Sequence, residues 1–186
     1  MTIQMGTPQF GSFPTEVACT YLVGMNPIGV LQILILVALA NGAPVAAKNI
    51  LGDRLGWPLD FRVALPDGHR LLGRSKTIRG VLLGILCSFA AAPLIGLDSK
   101  LGALVGALAM GGDLLSSFVK RRLNRPPSSR AIGLDQIPES LLPLLGCVDR
   151  LGLTAWDVLV GVLIFLVGEL LASRLLFKMN LRDRPY

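Results

Sequence analysis

The sequence predicts an all-α, polytopic integral membrane protein with about five transmembrane helices and a small cytoplasmic loop hairpin. Three observations carry that class. Only 16% of the 186 residues are charged while 52% are hydrophobic, whereas a soluble domain of this size carries about a quarter charged residues. Five apolar stretches approach or reach bilayer-spanning length, roughly 20–40, 80–97, 101–118, 136–150 and 153–174. The cations are also sorted. Of 18 Lys and Arg, seven fall in 41–79, five in 119–135 and four in the tail after 173, which leaves only Lys100 and Arg150. With five spans the three clusters share one face and the two strays lie on the other. Positive charge gathers on the cytoplasmic side, so the N-terminus is expected outside, and both large loops and the C-terminus inside the cell membrane. A soluble helical protein with an apolar core is the competing class, and it offers no reason for this sorting.

Residues 1–19 read as a polar extracytoplasmic segment. No Lys or Arg precedes Lys48, so the first apolar stretch lacks the basic flank of a signal peptide and reads as a span. Asn41-Gly42-Ala43-Pro44 is expected to end that helix, because Gly suits a helix C-terminus and Pro cannot continue one. In the following loop, Pro66-Asp67-Gly68 between FRVAL and HRLL predicts a small β-hairpin. Trp57 is expected at the membrane interface. GVLLGILCSFAAAPLIGL and WDVLVGVLIFLVGELLASRLLF are the clearest spans. QIPESLLPLLGCVDR is short and carries Pro138 and Pro143, which predicts a half-inserted or distorted helix. Cys19, Cys87 and Cys147 are odd in number and scattered, so they read as packing residues. The net charge of +6 follows from the topological bias. It calls for no nucleic-acid partner, because basic and aromatic residues show no shared pattern.

The chemistry concentrates where an aspartate interrupts the third span. On a helix, Asp113, Ser116, Ser117, Lys120, Arg121 and Asn124 recur at the spacing of one face. An ionisable group inside a span is costly and usually faces a polar cavity. Gly111 and Gly112 beside it allow a second backbone or a ligand to come close. Asp135 follows the Pro126-Pro127-Ser128-Ser129 turn, which returns the chain towards Asp113. Two aspartates among cations suit Mg²⁺ and phosphate chemistry, although Asp135 equally suits an N-cap before Ile137. In GRSKTIRG (73–80), Ser75 or Thr77 is a cap for the second span. Lys76 and Arg79 there either build an anion site at the helix N-terminus or anchor the cytoplasmic face. The segment lacks the spacing and preceding strand of a phosphate-binding P-loop. Asn41 either caps the first helix or reaches a phosphate or base. His69 has no partner in its hairpin. Asp157 is expected near the outer end of the last span, with Glu169 paired to Arg174 or facing the bundle.

Together, Asn41-Gly42-Ala43-Pro44, GRSKTIRG (73–80), GDLLSSFVKRRL (112–123) and Asp135-Gln136 resemble the ordered motifs of the CDP-archaeol synthase family. These are CTP:lipid-phosphate cytidylyltransferases related to CDP-diacylglycerol synthases. The resemblance runs from about residue 20 to the end, making 20–186 a single membrane-embedded cytidylyltransferase domain. It implies a Mg²⁺-dependent transfer of CMP from CTP to a lipid phosphate. Asp113 and Asp135 would be the metal-binding and catalytic carboxylates, with Lys120 also catalytic. Lys76, Arg79, Ser117, Lys120 and Arg121 would surround the nucleotide phosphates, and Asn41 would close the first helix against the substrate. The chain departs from the family at Ile78, at Pro126-Pro127-Ser128 and at Ile137-Pro138-Glu139. The last lies where the lipid-side helix begins, so the acceptor is either an archaetidic-acid-like ether lipid or phosphatidate. CTP, a lipid phosphate and membrane lipids are the expected partners, with a homodimer as a further possibility. Two rival classes remain: a small transporter or channel using Asp113 and Glu169, and a non-catalytic protein that binds anionic lipid through its basic clusters.

Overall fold

The computed structural model describes residues 24–52, 54, 56–61, 63, 70–73, 75–124 and 133–178. Its helices are α1 (Pro27–Leu51), α2 (Ile78–Ala91), α3 (Ser99–Arg122), α4 (Gln136–Gly146), α5 (Val148–Leu151) and α6 (Ala155–Lys178), with a 3₁₀ turn, Ala92–Ile95, extending α2. Four of these, α1, α2 with its extension, α3 and α6, are long and apolar enough to cross a membrane. Helix α4 has 11 residues, about 16 Å of rise at 1.5 Å per residue, roughly half the hydrocarbon thickness. The fourth predicted span is therefore a half-length helix with Pro143 inside it, continued by the single turn α5.

The first helix departs from expectation at both ends. It begins at Pro27 behind an Asn26 cap, whose side chain accepts from Gly29 N at 2.9 Å. It then runs straight through Asn41-Gly42-Ala43-Pro44 to Leu51. Pro44 removes one N–H and leaves the Ala40 carbonyl without its usual partner, a cost that neighbouring helices can offset inside a bundle. Helix α2 comes in at that point. A Cβ on Gly84 would lie 2.9 Å from Ala40 O, and one on Gly80 would lie 3.2 Å from the Pro44 ring. The glycine that does end α1 is Gly52, at φ 55, whose N–H bonds Lys48 O.

Helix α3 is the central element, packed by α2 on one side, α4 on another and α1 behind. Gly102 and Gly106 let its backbone press onto Ser88 of α2 and Ala92 of the 3₁₀ turn that extends it; a Cβ at 102 would lie 2.4 Å from Ser88 O. Small residues at such seams let transmembrane helices pack closely. Ile33, Leu36, Val37, Ala40, Val105, Ala109 and Leu144 are fully buried between α1, α3 and α4. The outward faces carry Leu31 and Leu39 on α1, Leu82 and Leu86 on α2, and Leu163, Val167 and Leu171 on α6, as contact with lipid requires. Cys147 joins the core, as expected, whereas Cys87 is exposed on α2.

Pairings at the helix ends fix which ends share a face. Asn26, before α1, bonds Leu151 O through Nδ2 at 2.9 Å and Asp157 Oδ1 through its N–H at 3.0 Å. At the opposite end Lys120 of α3 pairs with Asp135, before α4, at 2.7 Å. Helices α4 and α5 together thus lead from the end of α3 back to the start of α1. Helix α6 opens with a capping box. Thr154 Oγ1 accepts from Asp157 N at 3.2 Å, and Asp157 accepts from Thr154 N and Oγ1, each at 2.8 Å.

The turn Pro66-Asp67-Gly68 and His69 lie outside the described residues, as do residues 1–23 and the Pro126–Ser129 turn. At the base of the expected hairpin, Leu71 N–H donates to Val63 O at 3.1 Å. Among the described residues no β-ladder forms, only an isolated antiparallel bridge between Pro58 and Thr77.

Candidate active site

Asp113 lies on α3 about 14 Å before the helix end at 1.5 Å per residue, and the residue before it decides what it meets. A Cβ on Gly112 would sit 2.3 Å from Pro138 O and 2.7 Å from Glu139 N, so only glycine admits the first turn of α4 here. Gly111 has open space around it; of the two glycines, only Gly112 serves the close approach. That contact carries Glu139 to Asp113, with the two carboxyl groups within hydrogen-bonding reach. Glu139 is 7% exposed and accepts from Asn41 Nδ2 of α1 at 2.8 Å. Lys76, just before α2, puts its ammonium on both oxygens of Asp113. Four chain segments therefore meet around the Asp113 and Glu139 pair.

Lys76 is aimed by the cap beside it. Thr77 Oγ1 accepts from Gly80 N at 3.1 Å, so Thr77, rather than Ser75, is the N-cap of α2. Asp135 makes no capping hydrogen bond to α4 and instead pairs with Lys120, one turn below Ser116 and Ser117 on α3. Both partners are mostly buried, at 12% and 16% side-chain exposure. The helix-cap reading of Asp135 is thus set aside. Gln136, 1% exposed, holds the approach to α4 by accepting from Gly133 N at 2.8 Å. Ser117 and Arg121 are buried along the same stripe.

Asp113 and Asp135 are engaged by different lysines, and among the described residues no three His, Cys, Asp or Glu side chains gather as a metal cluster. The carboxylate that does meet Asp113 is Glu139, which sequence reasoning left out of the site. Its signal was present, since Asp135 and Glu139 stand four apart and share a helix face. Arg79 reaches backwards, with Nη2 donating to Gly52 O at 3.1 Å and Nη1 to Arg54 O; it closes the end of α1. Arg122 donates to Arg70 O at 3.1 Å and lies 5.3 Å from the Phe118 ring centroid. It ties the 52–76 loop to α3. Glu169 of α6 is near enough to act on Glu139 electrostatically, so it faces the bundle.

The donors around Asp113 are all hard oxygens. Besides the two carboxyl groups there is Asn41 Oδ1, buried without a hydrogen-bond partner. Such a set fits a Mg²⁺-like cation, and the ammonium of Lys76 already marks the spot as one that holds positive charge.

Carboxylates and a lysine gathered inside a bundle of helices long and apolar enough to cross a membrane point to an enzyme working within the membrane, and comparison with known proteins narrows the class. The family model of CarS-like CDP-archaeol synthases matches residues 28–186. The CDP-archaeol synthase of Sulfurisphaera tokodaii is 33% identical, over 79% of this chain and 89% of its own. That of Aeropyrum pernix is 42% identical, over 67% of this chain and 70% of its own. A solved intramembrane enzyme for archaeal membrane lipids biosynthesis superposes with a TM-score of 0.66 at 34% identity, covering 80% of this chain and 94% of that one. The chain belongs to the CarS-like CDP-archaeol synthase family. It is a CTP-dependent nucleotidyltransferase of the membrane, a CDP-lipid synthase.

Proposed function

We propose that the enzyme transfers CMP from CTP to an ether-lipid phosphate of the archaetidic acid type, giving a CDP-lipid and pyrophosphate. The observation that carries this reading is the convergence of Lys76 and Glu139 on Asp113, with Asn41 bonded to Glu139, and with Lys120 and Asp135 paired a further turn or two towards the end of α3. The basic loops lie at that end, which we assign to the cytoplasm, where CTP is found. The family name of the relatives favours the ether lipid over phosphatidate.

The acceptor phosphate is its own nucleophile and is largely ionised at pH 7, so the chain needs neither a covalent intermediate nor a strong base. One of its oxygens attacks the α-phosphorus of CTP. The bond from that phosphorus to the bridging oxygen breaks, and pyrophosphate leaves with the electron pair. The main obstacle is repulsion between two anions. Lys76, Lys120 and Arg121 offset it by donating charge-assisted hydrogen bonds to phosphate oxygens. Arg79 and Ser117 frame the nucleotide side, and Asn41 orients Glu139 through its amide. Asp113 and Asp135 are the carboxylates assigned to Mg²⁺, and Glu139 and Asn41 Oδ1 complete the oxygen set at Asp113. When bound, the ion neutralises phosphate charge and lowers the cost of its redistribution at phosphorus.

The reading is tested with purified protein, CTP, Mg²⁺ and a panel of ether- and ester-lipid phosphates. CDP-lipid and pyrophosphate should appear in equal amounts, fastest with the ether lipid. Turnover of the ester lipid alone would reassign the acceptor. Turnover of none would remove the reaction.

A further inference from the structure

Asp60 stands in the loop between α1 and α2, has no part in the chemistry described above, and has a side chain with 0% exposure. Its carboxylate accepts from Arg70 Nη2 at 2.9 Å and from Leu72 N at 3.3 Å. We propose that Asp60 is a positioning residue acting through Lys76: it holds the stretch from Arg70 to Lys76 in the conformation that brings the Lys76 ammonium to Asp113. The proposal rests on the reading of Lys76 as a contact of the nucleotide phosphates.

Residues 59 and 60 hold that stretch at three points. Besides the two bonds to Asp60, Leu59 N–H donates to Lys76 O at 2.9 Å. Between these points the stretch turns on itself, with Lys76 N–H donating to Gly73 O at 3.0 Å. Both of its ends are fastened to α3. Arg122 donates to Arg70 O at 3.1 Å, and Lys76 reaches both oxygens of Asp113. From 113 to 122 is nine residues of helix, about 14 Å at 1.5 Å per residue. From 70 to 76 is six residues of chain, which reach at most about 20 Å. The stretch therefore has slack, and its two end anchors alone leave its path open. The bonds to Asp60 take up that slack.

Energetics separate positioning from bulk stability. A buried ion pair adds little net stability, because desolvating both charges offsets their attraction. What the carboxylate adds is direction: Oδ1 takes a side-chain donor from Arg70, and Oδ2 takes the backbone N–H of Leu72. Strain sits at the same place. Phe61 has φ 45, a region that bulky residues rarely adopt and that persists where the surroundings over-determine the backbone. Beyond Lys76, the Thr77 cap on Gly80 N and the bond from Arg79 to Gly52 O fix the chain again. The flexible lysine stem thus springs from a backbone held on both sides.

The test is a double-mutant cycle in full-length enzyme, read as the KM for CTP alongside the melting temperature in detergent. Asp60→Asn keeps the size of the side chain but turns one acceptor into a donor. It should raise the KM for CTP about tenfold or more, since a 1 Å misplacement can cost on the order of 10²-fold, and leave the KM for lipid phosphate within about twofold. In a Lys76→Gln background the same change should move the KM for CTP by less than about twofold, because the group it positions is gone. Arg70→Lys, which keeps the charge without the planar fork, should show the same pattern at smaller amplitude, and it carries the cycle if Asp60→Asn does not fold. An Asp60→Asn effect equally large with and without Lys76 would show action on the loop as a whole and overturn the proposal. A lowered melting temperature with an unchanged KM for CTP would overturn it too. Lys76→Gln with a wild-type KM for CTP would remove the reading of Lys76 itself, and the proposal with it.

Discussion

At Asp113 a single carboxylate is shared among Lys76, Glu139 and, through Glu139, Asn41. Asp113→Asn keeps the shape and removes the charge. It should cut turnover by on the order of 10² or more, the loss typical when one member of a preorganised charge-stabilising site is removed, with insertion and yield unchanged. Glu139→Gln should lower activity comparably if its oxygen belongs to the cation set; an effect below twofold would leave it a partner of Asn41 only. For the lysines, position and total charge are separable. Lys76→Gln and Lys120→Gln should each raise the KM for CTP by about 10- to 150-fold, since a hydrogen bond to a charged group contributes roughly 1.5–3 kcal/mol and each tenfold corresponds to about 1.4 kcal/mol. Arg54→Gln removes equal charge from an exposed residue and should do little, because distant exposed charges are screened within about 10 Å. Similar losses at all three would indicate a diffuse basic surface.

At the scale of elements, the seam between α3 and α4 makes the site possible, and Gly112 makes the seam. A methyl group there would meet Pro138 O at 2.3 Å, too close for any relaxation that leaves both helices in place. Gly112→Ala should therefore destabilise the protein by about 1–3 kcal/mol, the usual cost of overpacking, and should separate Glu139 from Asp113. A lower melting temperature in detergent together with lost activity checks this; wild-type values for both would show that α4 does not rely on the contact. The same seam explains what was legible in the chain. Asp113, its stripe and the glycines beside it follow from periodicity, a local property. That Asp135 pairs with Lys120 and that Glu139 meets Asp113 depends on how α4 returns to α3, which local sequence patterns do not specify. Spacing alone allowed several outcomes there. Helix α1 is the opposite case: Gly42 and Pro44 are true local stop signals, overridden because α2 supplies packing beside Pro44.

The whole molecule presents a topological question that its helix lengths leave ambiguous, since four helices are long enough to span and α4 is not. Counting four crossings would put both ends of the chain on one face; counting five puts them on opposite faces. The contacts decide between these counts. Asn26 at the start of α1 bonds Leu151 at the end of α5 and Asp157 at the start of α6. Lys120 at the end of α3 bonds Asp135 at the start of α4. Polar groups joined at 2.7–3.0 Å lie at the same depth, so α4 and α5 together carry the chain from one face to the other. Charge predicts the orientation, because 16 of the 18 cations of the sequence fall in the three segments expected on one side and positive charge gathers on the cytoplasmic face. Single cysteines offered to an impermeant thiol reagent, in a background lacking the native ones, should accordingly react from inside at position 66 and at position 184. A cysteine at position 100, at the start of α3, should react only from outside. Labelling of 66 and 184 from opposite faces would reduce the crossings to four and place Asn26 at a different depth from Leu151 and Asp157, against the contacts that join them.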